Sequence, residues 1–277
     1  MAKKHRDEEE QDEELDPSED RALREREVAR SLISKHLDYK AIPSMIKPVG
    51  QGNQPCRILI YGTTDMGKTR LAGTGHKTLI MDYENGTRFL RKSQAKVMHI
   101  STWGEAVDMH WWVRNEKHGF ASGVLDTVTT LQDLGIDFLS GQALLRKTIT
   151  TEPKLLNRFG WQRLTKIMMD HLVQWTSLPM DMIFLANEKA IENEDTGEVV
   201  YYPAITPGVT NRLLRMVDLS GRIVLKDGKN GVRTRIYFRR TKSMPRNKRR
   251  VEGFPRFVDN ATLPKLLKLV RKGEENG

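Results

Sequence analysis

The segment Arg57-Ile58-Leu59-Ile60-Tyr61 runs straight into Gly62-Thr63-Thr64-Asp65-Met66-Gly67-Lys68-Thr69, and no other stretch constrains the chain so tightly. The pattern G-x-x-x-x-G-K-[ST] has a mechanism behind it. Its glycines let successive backbone N–H groups turn toward one phosphate, its lysine neutralises the outer phosphates, and its last hydroxyl coordinates magnesium. An apolar strand precedes the motif and Lys68 to Ala72 reads as the start of a helix, which is the context that mechanism requires. Gly62, Thr63, Thr64, Asp65, Met66, Gly67, Lys68 and Thr69 are therefore expected to hold ATP, with Thr69 on Mg2+. Asp65 is the odd member, because a carboxylate in a loop that receives polyphosphate is repulsive unless it points away.

Beyond the motif, short apolar runs alternate with longer amphipathic ones. Strands are expected at Thr78 to Asp82, Val97 to Ile100, Gly123 to Asp126 and Met182 to Ala186. Helices are expected at Trp103 to Lys117, Val128 to Arg146 and Trp161 to Thr176. That alternation predicts an α/β fold whose mostly parallel central sheet is flanked by helices. Further strands at Val199 to Tyr202, Arg222 to Lys226 and Thr234 to Arg239, some antiparallel, precede a last helix at Leu263 to Arg271.

A metal-binding aspartate is expected at the end of a later strand, where open α/β sheets place their ligands, and Asp126 in Val124-Leu125-Asp126-Thr127 answers. Capping the helix that follows is the alternative, and both roles can coexist. Hydrolysis also needs a group that orients or deprotonates water, and Ile80-Met81-Asp82-Tyr83-Glu84 offers Glu84 and Asp82 with little to separate them.

Charge is unevenly placed. Residues 3 to 20 carry ten acidic and three basic side chains, so residues 1–18 are expected to be a disordered acidic tail. A helical arm and linker are expected at 19–55, the core at 56–244, and a basic C-terminal extension at 245–277. Residues 205 to 272 hold 19 Lys and Arg against 4 Asp and Glu, which favours a polyanion over a merely solvated face. There is neither a secretory signal nor an apolar run long enough to span a bilayer, so a cytoplasmic setting and no membrane partner are expected.

The order P-loop, I-M-D-Y-E, S-T-W-G-E-A, G-V-L-D-T-V-T-T-L and I-F-L-A-N-E resembles the core of RecA-type recombinases. It is most similar to the short RecA-like ATPases of bacteriophages grouped with single-strand annealing and recombination proteins. The resemblance spans about Arg57 to Met244 and implies a RecA-like P-loop core. It makes Glu84 the catalytic glutamate, Asp126 the Walker B aspartate and Asn187 the polar sensor of the γ-phosphate. Arg240 and Lys242 match cations that reach the ATP of an adjacent subunit. Asn187-Glu188 departs from the usual Asn-Gln pair.

The resemblance implies an ATP-dependent recombination and repair protein of a bacterial host's cytoplasm that anneals or binds single-stranded DNA. It would work as a ring or filament, alongside a single-strand-binding protein. Tyr201 and Tyr202, followed by Arg212, are candidates for stacking on or contacting that DNA, with packing in a hairpin as the alternative for the tyrosines. Arg246, Lys248, Arg249 and Arg250 are expected to grip phosphates without regard to sequence. A hexameric motor of helicase or packaging type, and a nucleotide-gated interaction protein with little turnover, are the competing readings.

Overall fold

The computed structural model describes residues 54–145, 156–228 and 231–275. The acidic tail expected at 1–18 and nearly all of the arm at 19–55 lie outside the described residues.

β1 (Arg57–Gly62) is buried on both faces, which explains its unbroken apolar sequence. After the glycine loop, α1 (Lys68–Ala72) leads to β2 (Thr78–Asp82), a 3-10 turn (Gly86–Phe89) and β3 (Lys96–His99). Three helices and two strands follow: α2 (Trp103–Asn115), β4 (Ser122–Asp126), α3 (Val128–Leu145), α4 (Arg158–Thr176) and β5 (Asp181–Glu192). The Ser101-Thr102-Trp103-Gly104-Glu105 run is a capping box. Thr102 accepts from the Glu105 amide, and the Glu105 carboxylate accepts from the Ser101 and Thr102 amides. The remaining elements are β6 (Val199–Pro203), α5 (Pro207–Met216), β7 (Leu219–Gly228), β8 (Gly231–Tyr237), β9 (Lys248–Arg249), β10 (Phe257–Asp259) and α6 (Leu263–Glu275).

The sheet order is β10-β8-β7-β1-β5-β4-β2-β3, with β6 added to β5 and β9 to β7. Strands β7, β1, β5, β4, β2 and β3 are mutually parallel, and β6, β8, β9 and β10 pair antiparallel. This is the expected RecA-like arrangement, in which one strand, β5, separates the P-loop strand from the strand ending in Asp126. Alternation along the strands sends Leu59, Tyr61, Met81, Leu125 and Phe184 into one apolar core with Leu164 and Trp175 of α4. Ile58, Ile60, Ile80 and Val124 go into a second core with Leu71 of α1.

The second core corrects one expectation. Phe254, Val258, Leu263, Leu266 and Val270 are buried in it, and β9 and β10 are strands of the same sheet. Residues 245–275 are thus a structural part of the core rather than an extension after residue 244.

Candidate nucleotide site and its surroundings

The site forms where parallel strands end. Where the parallel pairing ends, the sheet presents Gly62 on β1, Asn187 within β5, Asp126 on β4 and Asp82 on β2. Gly62 is in register with Asn187, and Asp126 with Asp82. The loop itself needs its glycines. A Cβ on Gly62 would lie 2.6 Å from the Ile223 carbonyl oxygen, and Gly67 sits at φ 89 in the left-handed region. Lys68 is buried at 6% exposure and its Nζ donates to the carbonyls of Gly62 (2.9 Å) and Thr63 (2.8 Å). Burial lowers its pKa, opposed by the charges of Asp126, Glu84, Glu188 and Asp65.

Asp82 and Glu84 have different jobs. Asp82 is 1% exposed, and its carboxylate gathers the amides of Glu84 (3.0 Å), Gly86 (3.2 Å) and Thr87 (3.0 Å) and the Thr87 hydroxyl (2.5 Å). It is the hub of the turn that follows β2. Glu84 stands out of that turn into a pocket of about 290 Å3 lined also by Thr64, Lys68, Thr69, Phe89 and Asn187. Its Oε1 accepts from the hydroxyls of Thr127 (2.6 Å) and Thr130 (2.5 Å) and from Asn187 Nδ2 (3.2 Å). No described residue donates to Oε2, so one carboxylate oxygen is fixed by the protein and the other is left for a water. The geometry therefore separates two carboxylates that the residues alone left level.

Asn187 is held in turn by its amide, which donates to Thr129 Oγ1 at 2.9 Å. Three threonines soon after Asp126 thus hold Glu84 and Asn187 in place. Sequence reasoning assigned them no role, although the hydroxyl-rich run Thr127-Val128-Thr129-Thr130 between strand and helix was the available signal.

Asp126 is buried, and neither carboxylate oxygen has a hydrogen-bond partner. Burial pushes its carboxyl up to about 6, helped by the charges of Glu84 and Asp82; the nearby Thr69 hydroxyl and Lys68 ammonium pull it down only in part. Two orphaned buried oxygens beside a threonine hydroxyl form a hard oxygen donor set that suits Mg2+ with its remaining positions filled by phosphate and water. Thr69 and Asp126 would hold the ion. When bound, it would offset charge on the phosphate oxygens. Asp126 makes no cap bond to α3.

Glu188, the departure after Asn187, is also accounted for. It forms a two-pronged ion pair with Arg222 (2.7 and 2.9 Å), and the Arg222 guanidinium lies 3.4 Å over the Tyr201 ring centroid. Tyr201 is therefore packed in the β5–β6 hairpin, the alternative reading for it, and is not free to stack on a base. Tyr202 points to the other face, where Arg246 lies 5.7 Å over its ring and donates to Asn211 at 2.8 Å.

The basic cluster divides in the same way. Lys248 turns inward and its ammonium donates to the Leu214 carbonyl and, at 2.6 Å, to that of Val217, so it closes the end of α5 instead of facing solvent. Burial, with Arg250 nearby, lowers its pKa to about 8. Arg249 donates to the Phe254 carbonyl at 2.5 Å. Arg212, Arg250, Arg240 and Lys242 are exposed, and none of the four lines the Glu84 pocket.

Fold and site together define a RecA-like P-loop ATPase domain. A family model described as an AAA domain matches residues 54–250, and the chain belongs to that family. No curated protein matches it. Among solved structures, the chain is similar to a KaiC-like protein of the hyperthermophilic archaeon Pyrococcus horikoshii, with 12% identity, 68% of this chain and 80% of that one covered, and a TM-score of 0.37. It is also similar to the flagellar accessory protein FlaH of Methanocaldococcus jannaschii, with 11% identity, 81% and 92% covered, and a TM-score of 0.38. Among the described residues no helix is long and apolar enough to cross a membrane.

Proposed function

We propose that this ATPase binds single-stranded DNA as an oligomer and serves DNA recombination or strand annealing, as the resemblance to short phage-encoded RecA-like proteins suggests. One observation carries the reading. β5 leaves the nucleotide pocket at Asn187, bonded to Glu84, and continues without a break into the β5–β6 hairpin, whose partner strand brings Tyr202 beneath Arg246. Arg246 is tied to Asn211 on α5, beside exposed Arg212 and Arg215. A change at the γ-phosphate that moves Asn187 therefore has a direct path to a cationic, aromatic surface suited to a phosphate backbone.

ATP turnover of the full chain with and without oligo-dT tests this. Stimulation of about tenfold, with affinity that falls steeply as salt rises, is the expected result. If single-stranded DNA alters neither turnover nor the assembly state seen by electron microscopy with an ATP analogue, the DNA reading is wrong.

Arg240 and Lys242, exposed and outside their own chain's pocket, are suited to reach a neighbour's nucleotide and stabilise charge that develops on its phosphates. Lys68→Ala and Arg240→Ala proteins, each inactive alone, should recover part of the activity when mixed. No recovery in mixtures shown to co-assemble would remove the shared site.

A further inference from the structure

A cavity of about 660 Å3 lies at the end of the sheet away from the P-loop. Thr78, Ser122 and Asp181 line it, and they are the first residues of β2, β4 and β5. The same three strands carry Asp82, Asp126 and Asn187 to the nucleotide pocket, so the two cavities occupy opposite ends of shared strands. The outer wall is α6. Leu263, Pro264 and Leu267 give the cavity an apolar side, and Lys268, Arg271 and Lys272, three and four residues apart, share one edge of the helix.

The acceptors of this cavity are spent, and its donors are not. Asp181 takes the Cys56 amide on Oδ1 (2.8 Å) and Arg271 on Oδ2 (2.7 Å). The buried hydroxyls of Thr78 and Ser122 bond each other at 2.7 Å, and His76 Nδ1 meets Gln94 Oε1 at 2.6 Å. Gly75 and Ala121 complete the lining without a polar side chain. Against these, the Lys268 ammonium is exposed and donates to no described residue. Arg271 gives Asp181 a single hydrogen bond, and its Nε is buried without a partner although the side chain is 43% exposed.

Three cations less one carboxylate, with His76 neutral, leave the lining at +2. That charge matches a dianion. A phosphate monoester near neutral pH carries roughly −1.5 to −2 and three acceptor oxygens, whereas each phosphate of a nucleic-acid backbone carries a single negative charge. No Phe, Tyr or Trp lines the cavity for a base to stack on.

We propose that this cavity is a second anion site, which takes the phosphate of a small monoester between Lys268 and Arg271 and lays an apolar organic part against Leu263, Pro264 and Leu267. Ammonium and guanidinium give phosphate oxygens short, charge-assisted hydrogen bonds. The volume is that of a small-molecule site. Nothing in this assignment depends on the reading of Gly62 to Thr69.

Calorimetric titration of the full chain with phenyl phosphate in Mg2+-free buffer tests it. Phenyl phosphate should bind at least tenfold more tightly than dimethyl phosphate, a monoanionic diester, or succinate, a dianion without phosphate. It should bind at least threefold more tightly than inorganic phosphate, which leaves the apolar side uncovered. Lys268→Gln should weaken phenyl phosphate by about tenfold and leave thermal unfolding unchanged, since the exposed ammonium has no described partner to lose. Lys68→Ala in the P-loop should keep the affinity within about twofold, as should Lys166→Gln, an exposed cation on α4.

Full affinity in Lys268→Gln overturns the site. A loss in Lys68→Ala also overturns it, since the phosphate would then sit on the P-loop, and a loss in Lys166→Gln would reduce it to diffuse attraction by a basic surface. Succinate or inorganic phosphate bound as tightly as phenyl phosphate overturns the monoester assignment. A Lys268→Gln chain that unfolds earlier while binding normally would show that the cation serves only the C-terminal end of α6.

Discussion

Asp82 and Asp126 end neighbouring parallel strands at the same register position, are equally buried, and live in opposite circumstances. Asp82 accepts four hydrogen bonds from the turn it supports, and Asp126 accepts none. The first arrangement is what a structural carboxylate looks like: its charge is spread over donors supplied by its own chain. The second is tolerable only if something outside the chain completes it, because a buried carboxylate without partners costs stability. The difference marks which strand end supports and which one receives.

Replacement of Asp126 should have the largest effect and should divide stability from function. Asp126→Asn removes the charged oxygen donor, and turnover at saturating Mg·ATP should fall by about 100-fold or more. The apo protein should become more stable. Burial raises the folded pKa from 3.8 to about 6, so this group's contribution to stability is full below the unfolded value and is lost as pH rises through about 6. At pH 7 the neutral amide escapes that loss, a gain on the order of 2 to 3 kcal/mol, readable by thermal unfolding. Mg2+-dependent nucleotide affinity of the unaltered chain should drop as pH falls through about 6, and the variant should lack that step. A variant that is less stable at pH 7 breaks the comparison.

Asp82→Asn should act in the other direction. An amide offers one acceptor oxygen and turns an N–H toward N–H donors, so the Glu84 turn loosens. Stability should fall by about 2 kcal/mol as buried donors lose their partners. Turnover should fall about 10- to 100-fold through misplaced Glu84 while KM for ATP stays within about threefold. Glu84→Gln should lose turnover without the loss of stability. Activity alone does not separate these two carboxylates, since both variants are slow; unfolding and activity together do. An Asp82→Asn protein with full turnover would show that the turn stands without its hub.

Much of this was legible beforehand where local chemistry and tertiary placement agree. β2 and α1 fall at the residues expected, and most of the other expected strands and helices lie within a few residues, because apolar runs bounded by glycine and polar turns leave few options; β5 runs six residues past the expected Ala186, into a hairpin arm with no apolar run to mark it. The P-loop was legible for the same reason: strand, glycines and lysine must be contiguous to work. Side-chain direction was less accessible. Asp82 and Glu84 differ only by which one the turn folds around, and Tyr201 and Tyr202 by which face of a strand each occupies. The boundary after residue 244 failed because β9 and β10 are two and three residues long, too short to leave a periodic pattern, although they place Phe254 and α6 in the core.

The smallest expected effect extends the comparison from acids to bases. Lys248 and Arg250 lie two residues apart in the same basic run, one turned into α5 and the other exposed. A cation that grips DNA phosphate contributes roughly 0.7 to the slope of log affinity against log salt for a single strand. Arg250→Gln should lower that slope by about this amount and leave unfolding unchanged. Lys248→Gln should leave the slope alone and cost about 1 kcal/mol, because two carbonyls at the end of a helix lose a charged donor. Fluorescence anisotropy on oligo-dT across a salt series, paired with unfolding of each variant, reads both quantities. If Lys248→Gln flattens the slope as much as Arg250→Gln does, the ammonium leaves α5 for the DNA, and the division between supporting and receiving residues does not hold among the cations.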